Sequence, residues 1–262
     1  MKLAVLAFAL AIPALAVAEV ISKTVEWKVG GGTMKGYLVY DNSIKGKRPG
    51  VIVIHEWWGL TDYPKKRAEM LAKLGYVALA ADMYGDGKTA DNPADAQKFA
   101  GESMKDANLL KSKFLAAMDF LKQDEHTDPT RIAAIGYCYG GGVVLNMARA
   151  GVDLRGVVSF HGSLGAVIPA EKGKVKANIL VCDGEADRNT SPEVIEGFRK
   201  EMENAGVNYR FISYPSAKHA FTNPDADERA RKFNSDNIGY YKQADLASWN
   251  DMITFFDEFL NA

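Results

Sequence analysis

Cysteine is scarce in this chain, and only Cys138 and Cys182 occur among the 262 residues. Exported domains that depend on disulfides usually carry more cysteines, so a disulfide framework is not expected, and a single Cys138–Cys182 bond is the alternative. Only four histidines occur, and no His and Cys residues stand at the spacing of a zinc site. We therefore expect neither a metal nor a cofactor.

Charge of one sign is not in excess either. The 32 basic and 33 acidic residues give a net charge of −1, which offers no electrostatic signature for a nucleic acid or an anionic membrane. Hydrophobic residues make up 47% of the chain, and no internal repeat or low-complexity linker is visible. This length and composition are typical of one soluble domain. We expect a monomer that acts on a small molecule.

The first 18 residues form a separate segment. Lys2 supplies a positive charge, an apolar run follows, and Ala16-Val17-Ala18 matches the small-x-small cleavage pattern of a signal peptide. We predict a signal peptide over residues 1–18 and a mature domain over 19–262 that is periplasmic or secreted and free of the membrane. The apolar run approaches the roughly 20 residues that span a bilayer, so an uncleaved anchor is the alternative.

Short apolar runs alternate with helical patterns along the mature chain. Residues 25–29 and 34–40 predict an antiparallel hairpin. Later strands are predicted at 51–54, 76–80, 132–137, 156–160, 178–182 and 209–214. Helices are predicted at 62–74, 94–122 (with a break near Gly101), 140–150, 191–206 and 243–259. This order predicts an α/β fold with a mainly parallel central sheet and helices on both faces. In such sheets, functional groups lie beyond the carboxyl ends of the strands.

The strongest local signal is Gly136-Tyr137-Cys138-Tyr139-Gly140-Gly141, which follows a predicted strand and opens a predicted helix. It matches the nucleophile elbow G-x-S-x-G with cysteine in place of serine. Glycine relieves the crowding of such a strained turn, and a helix N-terminus favours a thiolate and an oxyanion. We predict that Cys138 is the nucleophile. The alternative is an inert cysteine in a glycine-rich turn.

Asp187 and His219 complete the order of nucleophile, acid and histidine. Each follows a predicted strand, so both are expected at the same edge of the sheet. His219 would accept the proton of Cys138, and Asp187 would hold the imidazole tautomer. Asp183 is the alternative acid because it lies closer to the strand end. His161 could line the site, although the sequence favours a structural role for it.

The same edge carries His55-Glu56-Trp57-Trp58-Gly59. The loop after this strand usually supplies the second N–H group of an oxyanion hole. We predict that the backbone N–H groups of Trp57 and Tyr139 form this hole. The two tryptophan side chains are expected to pack near the site, and Trp58 is a candidate for substrate contact.

Together, the His55-Glu56 loop, the cysteine elbow, Asp187 and His219 resemble the dienelactone hydrolase family over about residues 25–260. The resemblance implies an α/β-hydrolase fold and hydrolysis of esters or lactones through a Cys-His-Asp triad. It also implies a role for Glu56, whose family equivalent pairs with the resting thiol until substrate releases it to help form the thiolate. Such a carboxylate would keep the thiol neutral and slow its oxidation.

The sequence departs from this family in its arginines. The family's lactonases hold a substrate carboxylate with two arginines, but residues 84–92 and 220–227 contain none. Lys88 and Arg188 are the remaining candidates for substrate binding. The substrate therefore stays open between dienelactone and another ester, lactone or thioester.

Two other functional classes fit parts of the sequence. A catalytically silent scaffold would use the same fold for binding, but such a module has no need for a nucleophile, a base and an acid together. A redox protein would use Cys138 and Cys182. Cys182 lies within the apolar run Ile179-Leu180-Val181 and is more simply interpreted as a small buried hydrophobic residue.

Overall fold

The computed structural model describes residues 19–261, so the predicted signal peptide of residues 1–18 lies outside the described residues. Residues 19–261 form one eight-stranded sheet and seven helices. The strands are β1 (Val20–Val29), β2 (Gly32–Asp41), β3 (Arg48–Ile54), β4 (Val77–Ala81), β5 (Thr127–Tyr137), β6 (Gly156–Phe160), β7 (Asn178–Gly184) and β8 (Tyr209–Tyr214). The helices are α1 (Asp62–Lys73), α2 (Pro93–Lys105), α3 (Ala107–Gln123), α4 (Tyr139–Arg149), α5 (Pro192–Ala205), α6 (Ala226–Lys232) and α7 (Lys242–Phe259).

The strand order is β1-β2-β4-β3-β5-β6-β7-β8, and all pairs from β4 onward are parallel. The predicted hairpin of β1 and β2 is present and joins the sheet antiparallel to β4. Its turn uses Gly30 and Gly31, with φ of 56° and 82°. A two-residue turn with positive φ at both positions favours glycine and matches the twist of the flanking strands.

Helices cover both faces of the sheet, as the sequence predicted. Strand β3 is buried along its whole length, and its side chains alternate between the two faces. Ile52 packs in the core on the side of α3 and α4, whereas Val53 packs with α1 and α7 on the opposite side. This placement explains why the parallel strands are continuous apolar runs rather than alternating ones.

The long helix predicted over residues 94–122 is two helices. The helix continues through Gly101 and ends after Lys105, so the predicted break near Gly101 is wrong. Asp106 leaves helical geometry, with φ of −114° and ψ of 98°, and its carboxylate accepts the backbone N–H groups of Asn108 and Leu109. An N-cap of this kind satisfies donors that would otherwise have no partner, and it begins α3.

The carboxyl ends of β3, β5, β7 and β8 lie along one edge of the sheet because these strands are parallel. The loops that follow them carry the residues singled out from the sequence. Within residues 19–261, no helix combines the length and the apolar character needed to cross a bilayer.

Candidate active site

Cys138 lies in the turn between β5 and α4, in a conformation that residues with side chains rarely adopt. Its φ is 54° and its ψ is −114°, which is a strained combination. A Cβ atom on Gly136 would lie 2.1 Å from the Gly140 carbonyl oxygen, and one on Gly140 would lie 2.4 Å from that of Ile54. Glycine is therefore needed at both positions, because it lets the turn approach its own helix and the end of β3.

Cys138, His219 and Asp187 form a continuous chain of contacts, here called the Cys–His–Asp group. Cys138 Sγ lies 3.1 Å from His219 Nε2, and His219 Nδ1 lies 2.6 Å from Asp187 Oδ2. Burial alone would lower the pKa of His219, but Cys138 and Asp187 outweigh it and raise this pKa well above its ordinary value. A protonated imidazole beside a thiol favours the thiolate.

Asp183, the alternative acid, has a different partner. Its carboxylate accepts a hydrogen bond from Thr190 Oγ1 at 3.0 Å, and burial raises its pKa to about 6. Among the hydrogen bonds within residues 19–261, none joins Asp183 to His219. The alternative at Asp183 therefore does not match the structure, in which Asp187 is the acid in contact with the imidazole.

Asn237, which sequence reasoning missed, links the loops of the acid and the histidine. The His219 backbone N–H donates to the Asn237 carbonyl at 3.0 Å. The Asn237 side chain contacts Asp187 Oδ1 through Nδ2 at 3.4 Å and accepts the Arg188 backbone N–H at 2.9 Å. Its place between α6 and α7 carries no local motif, so only the three-dimensional contact identifies it.

His161 lies against His219, with the two rings edge to face and their centroids 5.3 Å apart. Its Nε2 lies 2.7 Å from Thr222 Oγ1, which in turn lies 2.6 Å from the Tyr63 hydroxyl. Burial and the neighbouring His219 hold the pKa of His161 well below its ordinary value, so this imidazole is neutral. It lines the site and also supports the His219 ring, which matches both roles considered from the sequence.

Cys182 is separated from this chemistry. It is fully buried on β7, where its sulfur accepts a hydrogen bond from the Tyr214 hydroxyl at 3.5 Å. Burial raises the pKa of this thiol to about 12, and both cysteines are free. The geometry gives no support to a redox pair of Cys138 and Cys182.

A cavity of about 730 Å³ is lined by the Cys–His–Asp group. Its volume falls within the roughly 300–1,000 Å³ of small-molecule sites. The apolar lining comes from Trp57, Trp58, Ala100, Met104, Phe233 and Ile238. Trp58 stacks on Phe233 with 5.7 Å between ring centroids and meets Trp57 edge to face at 5.1 Å. The two tryptophans therefore line the cavity and also hold one of its walls.

Glu56 lines the cavity, but among the hydrogen bonds within residues 19–261 none joins it to the Cys138 thiol. Its carboxylate is buried and accepts a hydrogen bond from Asn223 Nδ2 at 2.7 Å. Burial raises the pKa of Glu56, and the nearby Arg229 charge opposes this effect. The expected pairing of Glu56 with Cys138 is therefore corrected, because Asn223 holds the carboxylate and His219 is the partner of Cys138. The sequence did not predict a role for Asn223, because this residue belongs to no recognisable motif.

Comparison with known proteins identifies the family. The sequence profile of the Dienelactone hydrolase family matches residues 34–260. The chain belongs to the dienelactone hydrolase family. Protein usf of Aquifex pyrophilus is 30% identical over 92% of this chain and 100% of its own length. A putative carboxymethylenebutenolidase of Aquifex aeolicus is 26% identical over the same shares of the two chains.

Solved structures agree with this assignment. A dienelactone hydrolase-like promiscuous phosphotriesterase from metagenomic libraries has a TM-score of 0.85 and 31% identity, covering 93% of this chain and 99% of its own. The α/β-hydrolase fold expected from the resemblance is confirmed. This member of the dienelactone hydrolase family is a hydrolase of the class that acts on ester and lactone bonds.

The cavity has an arginine, but it lies outside residues 84–92 and 220–227, where the resemblance to the family's lactonases would place one. Arg229 lines the cavity from α6, with its guanidinium 4.2 Å from the centre of the Trp58 ring. Arg229 lies two residues beyond the segment 220–227, in which a family arginine would be expected. The charged helix that begins at Ala226 was the available signal.

Neither Lys88 nor Arg188 is among the residues that line the cavity, so its geometry gives no support to these two candidates for substrate binding. Lys88 is exposed and precedes Thr89, which pairs with Gly59. The Arg188 side chain is 63% exposed and forms an ion pair with Asp236 on the surface.

Within residues 19–261, no group of three or more His, Cys, Asp or Glu side chains is arranged to hold a metal ion.

Proposed function

We propose that this chain is a cysteine-dependent hydrolase of esters or lactones, with Cys138 as nucleophile, His219 as general base and acid, and Asp187 as the residue that orients the imidazole. The observation that carries the proposal is the short chain of contacts, 3.1 Å from Cys138 to His219 and 2.6 Å from His219 to Asp187. These three residues line a cavity that is large enough for a small ester.

The reaction has two stages. The Cys138 thiolate attacks the carbonyl carbon, and the carbonyl electron pair moves to oxygen. Collapse of this intermediate breaks the bond to the leaving oxygen, which takes a proton from His219 and leaves a thioester on Cys138. His219 then removes a proton from water, and the resulting hydroxide attacks the thioester. The acid departs, and the thiolate and the protonated imidazole are restored.

The backbone N–H groups of Tyr139 and Trp57 would stabilise the oxyanion. Tyr139 is the first residue of α4, so its N–H has no partner within the helix. Trp57 follows the end of β3, and both residues line the cavity with Cys138. A single donor of this kind is worth about 10²–10³ in kcat.

Arg229 narrows the proposed substrate class. It lines the cavity, and its guanidinium lies over the Trp58 ring, so a planar set of hydrogen-bond donors is held beside the site. A substrate carboxylate would match this group. We therefore propose that the substrate is an ester or lactone with an apolar body and an anionic substituent. Arg229 would bind the anionic substituent, and Trp58 would contact the apolar body.

A panel of nitrophenyl esters, lactones and thioesters tests the proposed reaction with wild type and His219→Ala. The proposal predicts turnover of at least one oxygen ester or lactone and a loss of several orders of magnitude in His219→Ala. Turnover of thioesters alone would replace it with a thioesterase. Absence of turnover across the panel would favour a silent scaffold used for binding.

We also propose that the mature protein begins at Glu19, is exported, and is a monomer. The pattern Ala16-Val17-Ala18 supports cleavage at this place. Mass spectrometry of the protein from a native-like host checks the first residue, and retention of Met1 would contradict the proposal. Analytical ultracentrifugation of the same sample checks the monomer.

A further inference from the structure

His55 is completely buried, and both of its ring nitrogens are occupied by backbone groups of fixed polarity. Nδ1 lies 2.6 Å from the Glu56 carbonyl oxygen, and Nε2 lies 3.1 Å from the Met83 backbone nitrogen. A carbonyl oxygen only accepts and a backbone N–H only donates. The ring is therefore neutral, with its proton on Nδ1. Burial also lowers the pKa of His55, which keeps it in this form.

The carbonyl that His55 holds belongs to the same peptide group as the Trp57 N–H. The peptide bonds are trans, so the carbonyl and the N–H of one group point in opposite directions. The Glu56 carbonyl also accepts the Gly59 backbone N–H at 3.1 Å. Two donors thus fix the carbonyl on one side, and the Trp57 N–H is directed to the other.

The nucleophile elbow is attached to the same loop. The Gly140 backbone N–H donates to the His55 carbonyl at 3.1 Å, which ties the start of α4 to the end of β3. The His55 ring also stacks on Tyr139, with 5.5 Å between centroids and 18° between planes. His55 therefore contacts Tyr139 and the Glu56–Trp57 peptide group, which together carry the two N–H groups proposed to bind the oxyanion.

We propose that His55 is a positioning residue that holds the Glu56–Trp57 peptide with its N–H directed into the oxyanion hole. Without the Nδ1 donor, rotation of this peptide would remove one donor from the hole and bring a carbonyl oxygen toward the developing negative charge. The inference rests on the proposed cysteine hydrolase. It assigns a contribution to kcat to a residue that does not itself touch the reacting atoms.

Two substitutions separate positioning from structural support. In His55→Asn, the side-chain amide nitrogen lies near the place of Nδ1 and keeps a donor for the Glu56 carbonyl. His55→Leu fills a similar volume without a donor. Both variants and wild type are compared in three measurements, which are ester kcat and KM, the rate of Cys138 alkylation by iodoacetamide, and the urea midpoint. Cys138→Ala supplies the background of the turnover and alkylation measurements. Alkylation replaces iodide at a saturated carbon and needs no oxyanion hole.

We expect His55→Leu to lose about 10²–10³ in kcat with KM within a few-fold of wild type. Its alkylation rate stays near that of wild type, and His55→Asn recovers at least tenfold of the lost kcat. Equal losses of kcat and alkylation, or no recovery in His55→Asn, would overturn the inference. If Cys138→Ala retains turnover, the proposed function fails instead, so the two failures are distinguishable.

Discussion

Nε2 of His219 lies 3.1 Å from Sγ of Cys138, and the opposite ring nitrogen contacts Asp187 at 2.6 Å. This geometry leaves the imidazole one orientation and places its exchangeable proton at the sulfur. The residues involved come from three different loops at the carboxyl edge of a parallel sheet. Their contact therefore depends on the register of β5, β7 and β8.

The pH dependence of thiol alkylation tests this contact. Because Cys138 and Asp187 raise the pKa of His219, the imidazole favours its protonated form, which promotes thiolate formation in a neighbouring thiol. Iodoacetamide should therefore alkylate Cys138 at pH 6 faster in wild type than in His219→Ala. The difference between the two proteins should shrink at pH 9, because a thiol depends less on a neighbouring cation when hydroxide is more abundant. Identical profiles in the two proteins would contradict the pairing.

If Asp187 rather than Asp183 is the acid that orients His219, the same substitution at the two positions should have different effects on kcat. Asp187→Asn keeps the shape of the side chain but removes the charge that holds the His219 tautomer, and kcat should fall by roughly 10⁴. Asp183→Asn keeps an acceptor for Thr190, and its kcat should stay within a few-fold of wild type. Steady-state kinetics on one ester check both variants, and the reverse order of effects would identify Asp183 as the acid.

Arg229 should govern the affinity for anionic substrates. Arg229→Met should raise KM for a carboxylate-bearing ester by about 10–100-fold, because one charge-assisted hydrogen bond is lost. KM for the matching neutral ester should change little. Arg231→Met, on the exposed side of the same short helix, is the control and should leave both values unchanged. Equal effects of Arg229→Met on the two esters would remove the anionic substituent from the proposed substrate.

A buried ion pair below the site should contribute to stability. The Arg67 side chain is 5% exposed and that of Asp245 is 12% exposed. Asp245→Ala leaves the guanidinium buried without its charge partner, and the free energy of unfolding should fall by about 3–5 kcal/mol. Glu258→Ala, which breaks the exposed pair with Arg210, should cost less than about 1 kcal/mol. Urea denaturation followed by circular dichroism compares the two variants, and similar losses would contradict this account.

The sequence predicted the features that are carried by local pattern. The cysteine elbow has fixed glycine positions, and Asp187 and His219 follow strands whose apolar runs are easily recognised. Each was placed by a rule that needs only neighbouring residues. The hairpin at Gly30 and Gly31 was found in the same way.

The features that the sequence did not predict depend on distant contacts. Asn223 and Asn237 are ordinary polar residues until the fold brings them to Glu56 and Asp187. Arg229 became a cavity residue only because a short helix packs over Trp58. Capping at Asp106, rather than the low helix propensity of Gly101, decides where the long helical segment divides.

Turnover by Cys138→Ala tests the central claim most directly. Its kcat is measured on the best ester or lactone of the panel, with the urea midpoint as a check that the variant is folded. The account predicts a loss of around 10⁶ in kcat, the size seen when a triad nucleophile is removed, with an unchanged midpoint. Turnover within a few-fold of wild type in a folded variant would contradict the assignment of Cys138 as the nucleophile.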